Sequence, residues 1–230
     1  MADAAETILV LQHQDDAGPG NLADWLWAKG IPWQLVDVRA GELPQPTRHR
    51  ALMVLGSREA AYDATVPWGQ PERSFVQAEV ECGTPVFGIC YGAQLLAQIL
   101  DGKVQPAAEA ERGWTKIPAV ADEPQLAQVV QGCWFEWHGD EILLPPQATL
   151  LAGNRHVQAF SQGRHLGVQF HPEITAEQIR AWMTADQRRR QLADVGGVPE
   201  ELVRITESRY QDAERAAWRL YEEFLKVADG

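Results

Sequence analysis

Apolar runs alternate with amphipathic segments along the first 90 residues of the chain. Residues 22–29 and 71–82 have helical spacing; Gly30 would end the first helix and Pro71 would occupy the first position of the second. Short apolar runs predict buried strands between these segments, at residues 8–13, 33–38, 51–56 and 84–90. Strands and helices that alternate in this way predict a parallel sheet with helices on both faces.

The pattern changes in the second half of the chain. Residues 103–170 contain strand-like segments joined by turns, which is typical of mixed or antiparallel strands that extend a main sheet. Residues 175–190 and 199–228 have apolar positions three to four apart, which predicts helices. The GGVP sequence at residues 196–199 predicts the turn between them.

No linker, internal repeat or low-complexity segment divides the chain. We therefore expect one α/β domain over residues 1–175 and a helical extension over residues 176–230 that packs on the same domain. The apolar stripe of the extension could instead form a lid or dock on a second copy of the chain, so a homodimer stays open.

Composition narrows the class of protein. The 230 residues are 45% hydrophobic and 23% charged, as in ordinary globular proteins. No apolar run is long enough to cross a membrane, and the acidic N-terminal sequence MADAAET is unlike a signal peptide, so we predict a cytoplasmic protein with no membrane partner. A net charge of −12 argues against a nucleic acid partner.

Two residue groups carry little signal by themselves. The three cysteines have no paired spacing, which indicates neither a disulfide framework nor a structural metal site. The arginine run at residues 188–190 is short and flanked by mixed charges, so we expect a solvated helix face there.

The stretch FGICYGAQLL places a cysteine between two glycines where an apolar run gives way to helical spacing. A junction of the form G-x-nucleophile-x-G turns so tightly that glycine is favoured at both flanks, and it lifts the nucleophile above the sheet. Gly88 and Gly92 fill these positions around Cys90. The N–H groups that begin the next helix would stabilise a thiolate. A small core cysteine in a glycine-rich turn is the alternative.

A cysteine nucleophile needs a base, and the base needs a group to orient it. His171 follows the sequence GVQF and precedes Pro172 and Glu173. In extended backbone, residues i and i+2 face the same way, so the Glu173 carboxylate would lie beside the His171 imidazole and fix its tautomer. An ordinary turn at a strand end is the alternative. Solvent-exposed or structural hydrogen-bonding roles are expected for the histidines at 13, 49, 156 and 165.

The sequence FGICYGAQLLA, together with GVQFHPE, resembles the class I (triad-type) glutamine amidotransferases, in which the catalytic order is cysteine, histidine, glutamate. Four more segments are similar to stand-alone bacterial members: ILVLQHQDDAGPGNLADWL, VLGSREAAYDATVPW, EAERGWTKI and WFEWHGDEILLPPQATLLAGN. The resemblance covers residues 8–175. It implies a flavodoxin-like three-layer α/β sandwich with a central, mostly parallel sheet, to which the C-terminal helices are added. It also implies Cys90 as nucleophile, His171 as general base and acid, and Glu173 as its orienter.

Two other folds with a nucleophile elbow fit less well. A thiol-bearing α/β-hydrolase would place an aspartate between nucleophile and histidine in chain order. The cysteine-elbow family of stress chaperones and intracellular proteases usually has histidine directly after the cysteine, where this chain has Tyr91.

The resemblance also implies an oxyanion hole formed by the amide of Tyr91 and an amide near Gly56 and Ser57. Many relatives have two glycines and then proline in this loop, whereas this chain has Gly56-Ser57-Arg58. A serine would be strained if the loop required a positive φ at that position. We therefore expect weak activity or dependence on a partner if the strain occurs.

The resemblance implies four substrate-binding residues: Gln94, Glu136, Trp137 and His138. Asp140 is expected to shape the turn after this strand rather than to take part in chemistry. Trp114 and Trp137 could wall the pocket, although aromatic residues beside a cleft are often core residues.

The implied reaction is attack of Cys90 on the γ-carboxamide of glutamine or of a γ-glutamyl amide, release of ammonia or an amine, and hydrolysis of the thioester to glutamate. It needs no metal or organic cofactor. The amidotransferase domain and its helices account for nearly all 230 residues, so an ammonia-accepting synthetase would be a separate protein. A self-sufficient hydrolase of γ-glutamyl conjugates and a non-catalytic binding or regulatory relative are the alternatives.

Overall fold

The computed structural model describes residues 4–120 and 126–230. Within these ranges the strands are Ile8–Gln12 (β1), Trp33–Asp37 (β2), Ala51–Val54 (β3), Val86–Ile89 (β4), Lys103–Ile117 (β5), Gly132–Leu143 (β6), Thr149–Gly153 (β7), Val157–Gln162 (β8) and His165–Val168 (β9). Seven strands form the main sheet in the order β2-β1-β3-β4-β9-β8-β7. The first five run parallel, while the β9–β8 and β8–β7 pairs are antiparallel. The remaining strands, β5 and β6, form a separate antiparallel ribbon.

Helices lie on both faces of the main sheet. The α-helices are Asn21–Ala28 (α1), Gly69–Glu81 (α2), Tyr91–Ile99 (α3), Leu126–Val130 (α4), Ala176–Trp182 (α5), Asp186–Ala193 (α6) and Pro199–Asp229 (α7). Short 3-10 helices span Ala4–Glu6 and Val38–Ala40. Among the described helices, none combines the length and the apolar character that a membrane crossing requires.

Strand β1 shows how the sheet separates two apolar cores. Ile8 and Val10 pack on one face with residues of α1 and α7. Leu9 and Leu11 pack on the other face with residues of α2 and α3. Because successive side chains of a strand point to opposite faces, a strand covered on both sides must be apolar throughout. The predicted flavodoxin-like, three-layer α/β sandwich with a mostly parallel sheet is therefore confirmed.

One helix start differs from the prediction. Helix α2 begins at Gly69, so Pro71 is the third helical residue and not the first. The first four N–H groups of a helix have no partner within it, which is why proline is tolerated at this position too. The predicted end of the first helix is confirmed, since Gly30 follows α1 with a φ of 63°. The helix predicted over residues 175–190 is divided into two, α5 and α6.

The C-terminal helices pack on the body of the chain. Helix α7 contributes Leu220, Tyr221 and Phe224 to the core beside α1, and all three are fully buried. Helix α5 packs against strand β6 of the two-stranded ribbon, through a third apolar cluster that includes Phe135 and Trp182. The division of the chain at residue 175 into a domain and an extension stays a prediction.

The strand order creates a crevice at the carboxyl ends of the parallel strands, between β1 and β3. Strands β2 and β3 lie on opposite sides of β1, so the chain reverses direction across the sheet at this point. In open α/β sheets, ligands bind beyond the carboxyl ends of the strands at such a reversal. The loops that follow β1, β3, β4 and β9 meet there.

Candidate active site

Cys90 occupies the tight junction between β4 and α3. Its φ of 53° and ψ of −108° lie outside the favoured regions for a residue with a side chain. A β-carbon on Gly88 would stand 2.4 Å from the carbonyl carbon of Gly92, and one on Gly92 would stand 2.0 Å from the carbonyl oxygen of Val54. Only glycine fits at either position, as the G-x-C-x-G pattern predicts.

His171 and Glu173 lie side by side beyond the end of β9. Nδ1 of His171 is 2.7 Å from Oε1 of Glu173, and the residues are 4% and 2% exposed. Burial by itself would lower the pKa of His171, but the charges of Glu173 and Cys90 outweigh it and hold that pKa well above its usual value. The contact to Glu173 leaves the other ring nitrogen, Nε2, available to a thiol.

Cys90 and His171 line the same small cavity, whose volume is ≈ 130 Å³. Gly56 lies against both: a β-carbon added to it would stand 3.0 Å from Cε1 of His171 and 3.7 Å from Cβ of Cys90. The loops after β1, β3, β4 and β9 all contribute lining residues, as the strand order predicts. The cavity is smaller than the roughly 300–1,000 Å³ typical of drug-sized ligands, which favours a small polar substrate.

The strain considered for Ser57 does not arise. Among the described residues, positive φ values occur outside glycine at Cys90 and Asp101, and Ser57 is not one of them. Ser57 lines the cavity beside Gly56. A serine in this loop is therefore compatible with an unstrained backbone.

A buried chain of hydrogen bonds links the two loops for which oxyanion-hole roles are predicted. Nδ1 of His13 donates to the carbonyl oxygen of Gly56 over 3.1 Å, and Nε2 lies 2.6 Å from Oε1 of Glu72. The hydroxyl of Tyr91 donates to Oε2 of the same carboxylate over 2.9 Å. The Gly56 carbonyl shares its peptide plane with the N–H of Ser57, so these contacts fix that N–H as well.

Sequence reasoning missed this chain of contacts, which we call the His13–Glu72–Tyr91 network. His13 and Glu72 are 59 positions apart, and no local motif joins them. The available signals were weak: a histidine directly after an apolar strand, and a glutamate within an amphipathic helix. Both side chains are fully buried in the structure.

The structure separates the four predicted substrate-binding residues. Gln94, Trp137 and His138 line the cavity, and Nε2 of Gln94 donates to Oε1 of Gln169 over 3.2 Å. Glu136 lies behind the cavity wall and is fully buried. Its Oε2 atom lies 3.4 Å from Nε2 of His138, but neither carboxylate oxygen makes a hydrogen bond of good geometry among the described residues. Burial, followed by the charge of Glu111, raises the pKa of Glu136 well above its usual value, which favours the neutral acid.

The structure contradicts two neighbouring predictions. Asp140 lies inside strand β6 and not in a turn, and its carboxylate accepts a hydrogen bond from the hydroxyl of Tyr62 over 2.8 Å. The prediction that Trp114 walls the pocket is wrong. Its indole N–H donates to Oγ1 of Thr206 over 2.9 Å and its ring packs on Phe135, which places it below the cavity wall.

Among the residues that the structure describes, one group of side chains could hold a metal ion. Single ligand atoms of Glu111, Glu136 and His138 lie within 4.8 Å of one another. Hydrogen bonds already occupy the Glu111 carboxylate, whose oxygens accept from Asn154 over 2.8 Å and from Gln158 over 2.6 Å. A proton on Glu136 relieves the remaining repulsion without an ion.

The outer wall of the cavity comes from the C-terminal helices. We call this the helical wall; its residues are Trp182, Gln187, Arg188 and Gln191. The prediction of a solvated arginine face is wrong for Arg188, which is only 6% exposed and lines the cavity. It holds for Arg189 and Arg190, which are exposed. The run of three arginines gives no sign of which one faces inward.

Comparison with known proteins gives a consistent family signal. The family model described as glutamine amidotransferase class-I matches residues 58–188. A protein named GMP synthase [glutamine-hydrolyzing] from Thermomicrobium roseum is 43% identical over 100 residues, which cover 41% of this chain and 19% of that protein. The protein of the same name from Aeromonas salmonicida is 30% identical over 166 residues, covering 65% of this chain and 29% of that protein. The chain thus spans less than a third of the length of either relative.

Two solved structures match nearly the whole chain. A glutamine amidotransferase from Methylobacillus flagellatus has a TM-score of 0.86 and 26% identity, and the match covers 96% of this chain and 95% of that one. A glutamine amidotransferase from Thermotoga maritima has a TM-score of 0.87 and 24% identity, with coverage of 96% and 99%. The second match shows a shared fold.

Proposed function

The chain belongs to the class-I glutamine amidotransferase family, and from that premise we propose that it hydrolyses the γ-carboxamide of glutamine or of a γ-glutamyl amide. One observation carries the proposal: a cysteine at a strained strand–helix junction shares a small cavity with a histidine that is bonded to a buried glutamate. In this proposal Cys90 is the nucleophile, His171 the general base and acid, and Glu173 the residue that orients His171.

The first half of the reaction forms a thioester. His171 takes the proton of Cys90, and the sulfur attacks the carbonyl carbon of the substrate's γ-carboxamide to give a tetrahedral intermediate. The C–N bond then breaks as His171 returns the proton to the leaving nitrogen. Ammonia or an amine departs, and the γ-glutamyl group stays on Cys90.

The negative oxygen of the tetrahedral intermediate needs converging N–H donors. We assign this role to the backbone N–H groups of Tyr91 and of Ser57, beside Gly56. The amide of Tyr91 opens helix α3, where unpaired N–H groups and the helix dipole favour a negative charge. The His13–Glu72–Tyr91 network supports the assignment because it holds both loops from the side away from the cavity.

The second half of the reaction releases glutamate. Water enters the site vacated by the leaving group and gives a proton to His171 as its oxygen attacks the thioester. The C–S bond breaks, the thiolate recovers the proton from His171, and glutamate leaves. Trp137, Gln94 and His138 would hold the amino-acid end of the substrate, with Glu136 supporting the wall behind them.

The destination of the ammonia is a second part of the proposal. The matched relatives carry the name GMP synthase [glutamine-hydrolyzing], and this chain covers 19% and 29% of the two described above. We propose that an amidotransferase of this kind supplies ammonia to a synthetase. The alternative that the chain is a non-catalytic relative was based on backbone strain at Ser57. Because Ser57 does not have a positive φ, this argument for a non-catalytic protein no longer applies.

The test is glutamate release by the purified protein from glutamine and from a panel of γ-glutamyl amides. We expect turnover by the wild type and none by the Cys90→Ala variant. A Cys82→Ala variant is the matched control, because Cys82 is an exposed free cysteine at the end of α2, and it should react like the wild type. Equal rates for wild type and Cys90→Ala, or no glutamate from any amide by the folded protein, would contradict hydrolysis by the chain.

A further inference from the structure

The guanidinium groups of the partly buried Arg112 and the buried Arg188 contact the same indole ring in the cavity. The Cζ atom of Arg112 lies 5.3 Å from the ring centroid of Trp137, and that of Arg188 lies 5.6 Å from it. Arg188 also lies 3.6 Å from the ring centroid of Trp182. All four residues line the cavity that holds Cys90. Aromatic faces attract guanidinium groups and hold their planes in place, so the two cations are preorganised.

The charge of Arg112 is poorly neutralised. Its Nη1 atom donates to the backbone oxygens of Glu111 and His138. Within residues 4–120 and 126–230 it makes no ion pair with a carboxylate, and its buried Nε has no hydrogen-bond acceptor. Burial lowers the pKa of Arg112, as expected for a cation that has lost water without gaining a full counter-charge.

Arg188 is paired only weakly. Its Nη2 atom lies 3.4 Å from Oδ2 of Asp16, and the same oxygen also pairs with Arg58. One carboxylate thus serves two arginines, and the buried Nε of Arg188 has no acceptor among the described atoms. Burial lowers the pKa of Arg188 to about 10, against the opposing charge of Asp16.

The cavity wall has the opposite charge balance to the whole chain. Its formally charged side chains, apart from histidine, are three arginines and two carboxylates: Arg58, Arg112, Arg188, Glu59 and Asp140. The chain as a whole has a net charge of −12. A positive wall in a concave site on an acidic protein selects negatively charged groups.

We propose that Arg112 and Arg188, which both contact Trp137, form a carboxylate-binding subsite for the substrate. The inference rests on the proposed function and names its substrate class: γ-glutamyl amides whose carboxylate is bound by these two guanidinium groups. A carboxylate would supply the acceptors that the buried Nε atoms of both arginines lack, and guanidinium–carboxylate pairs are strong when water is excluded. The carboxylate could be the α-carboxylate of the glutamyl group or one carried by the leaving amine.

Five substrates distinguish these two sources. Glutamine and its α-amide differ only in the α-carboxylate. Three γ-glutamyl amides differ in the charge of the leaving amine: γ-glutamylglycine is anionic, γ-glutamylethylamide neutral and γ-glutamylethylenediamine cationic. We expect the wild type to have its lowest KM for substrates whose carboxylate reaches the subsite.

The variants are Arg188→Gln and Arg112→Gln, with Arg188→Lys as a variant that keeps the charge. Arg189→Gln is the matched control because Arg189 lies on the same helix but is exposed, and it contacts the Met183 carbonyl and Glu200. Losing a charged hydrogen bond corresponds to a roughly 10- to 100-fold rise in KM with kcat nearly unchanged. Arg188→Lys should recover part of the loss, and Arg189→Gln should match the wild type.

The pattern of KM changes decides the source. A rise for glutamine but not for its α-amide assigns the α-carboxylate, whereas a rise for γ-glutamylglycine but not for γ-glutamylethylamide assigns the leaving amine. Either pattern supports the subsite. Equal KM changes for substrates with and without the carboxylate, or no change in either arginine variant, would overturn it.

A binding measurement separates failure of the subsite from failure of the proposed function. Calorimetry on Cys90→Ala measures the affinity for γ-glutamylglycine and for glutamine without turnover, and a Cys90→Ala/Arg188→Gln protein should bind one of them about 10-fold more weakly. If the wild type hydrolyses glutamine while both proteins bind equally, the subsite is wrong and the function stands. If no amide is hydrolysed but binding depends on Arg188, the function fails and the subsite stands.

Discussion

The two halves of the cavity differ in how their side chains are held. The strand-end half is formed by the loops after β1, β3, β4 and β9, and backbone hydrogen bonds fix it. The N–H of Cys90 donates to the carbonyl oxygen of Val168 over 2.8 Å, and that of His171 donates to the carbonyl oxygen of Phe135 over 2.8 Å. The strand-end half thus inherits the rigidity of the sheet.

The helical wall is held through side chains. The indole N–H of Trp182 donates to the backbone oxygen of Asp16 over 2.6 Å, and that of Trp137 donates to Oε1 of Gln191 over 3.2 Å. Arg188 stacks on Trp182 and pairs with Asp16. Substitutions can change such contacts without moving the backbone, so this half can alter its preference for substrates while the strand-end half keeps its geometry.

The largest effect is expected for His171→Gln. Loss of the general base should lower kcat by roughly 10²- to 10⁴-fold, because proton transfer to and from the sulfur and the leaving nitrogen would have no partner. Steady-state glutamate release measures it. Gln191→Ala is the matched control in the helical wall. We expect it to change kcat by less than about 10-fold, since Gln191 lines the cavity and supports Trp137 but transfers no proton in the proposed reaction. Equal losses in both variants would erase the distinction between the halves.

Gly92→Ala tests whether close backbone contact holds the strand-end half. The new β-carbon would stand 2.0 Å from the carbonyl oxygen of Val54, so the junction must move. We expect a loss of about 3 kcal/mol or more in the free energy of unfolding, measured by urea titration. Gly163→Ala is the matched control. Gly163 has a φ of 58°, and no atom lies within 4 Å of the position of the new β-carbon. We therefore expect this variant to lose only the backbone strain of about 1 kcal/mol in its free energy of unfolding. Similar losses would argue against a close-packed junction.

Glu72→Gln tests the His13–Glu72–Tyr91 network. Glutamine has nearly the same shape as glutamate but lacks the negative charge that binds both His13 and Tyr91. We therefore expect kcat to fall about 10-fold with little change in KM. This loss is smaller than the ~100-fold loss of kcat expected when an oxyanion-hole donor is deleted.

Glu79→Gln provides the control for that variant. Glu79 lies on the same helix, is equally buried, and pairs with His49 at 3.0 Å. It should lose comparable stability at unchanged kcat. If both variants keep the wild-type kcat, the network does not position the oxyanion hole.

Glu136→Gln is expected to have the smallest effect on turnover, and its consequence is visible in the pH dependence of stability. Burial raises the pKa of Glu136 in the folded state, so the folded protein retains a proton that the unfolded chain loses above the ordinary value of 4.5. The stability of the wild type should therefore fall, relative to Glu136→Gln, as pH rises from about 4.5, by at most about 1.4 kcal/mol per pH unit. Urea unfolding at pH 5 to 8, as an approximate range, measures the difference. Parallel pH profiles would contradict a neutral Glu136.

Local geometry made the strand-end half predictable from sequence. Gly88 and Gly92 are required by close contacts along a single junction. His171 and Glu173 are only two residues apart, although Pro172 and Glu173 form a turn and not the predicted extended backbone. Patterns over a few residues carry this information directly.

The remaining features depend on contacts between distant segments. Arg188 faces the cavity because α6 packs over Trp137, and the bond between His13 and Glu72 depends on the placement of α2 against β1. The strain considered for Ser57 was absent because the conformation of its loop is not set by the residue type alone. Side-chain partners dozens of residues apart leave no local pattern.

Covalent labelling tests the central claim most directly. A glutamine analogue with a chloromethyl ketone in place of the carboxamide should react, with loss of chloride, with a thiolate that faces the carboxamide position of the bound substrate, and peptide mass spectrometry locates the label. The chain contains its own controls, because Cys82 is exposed and Cys133 partly exposed, whereas Cys90 is buried. We predict one label per chain, on Cys90, suppressed by glutamine. A label on Cys82 with Cys90 unmodified, or labelling of Cys90 that glutamine does not slow, would contradict Cys90 as the glutamine-directed nucleophile.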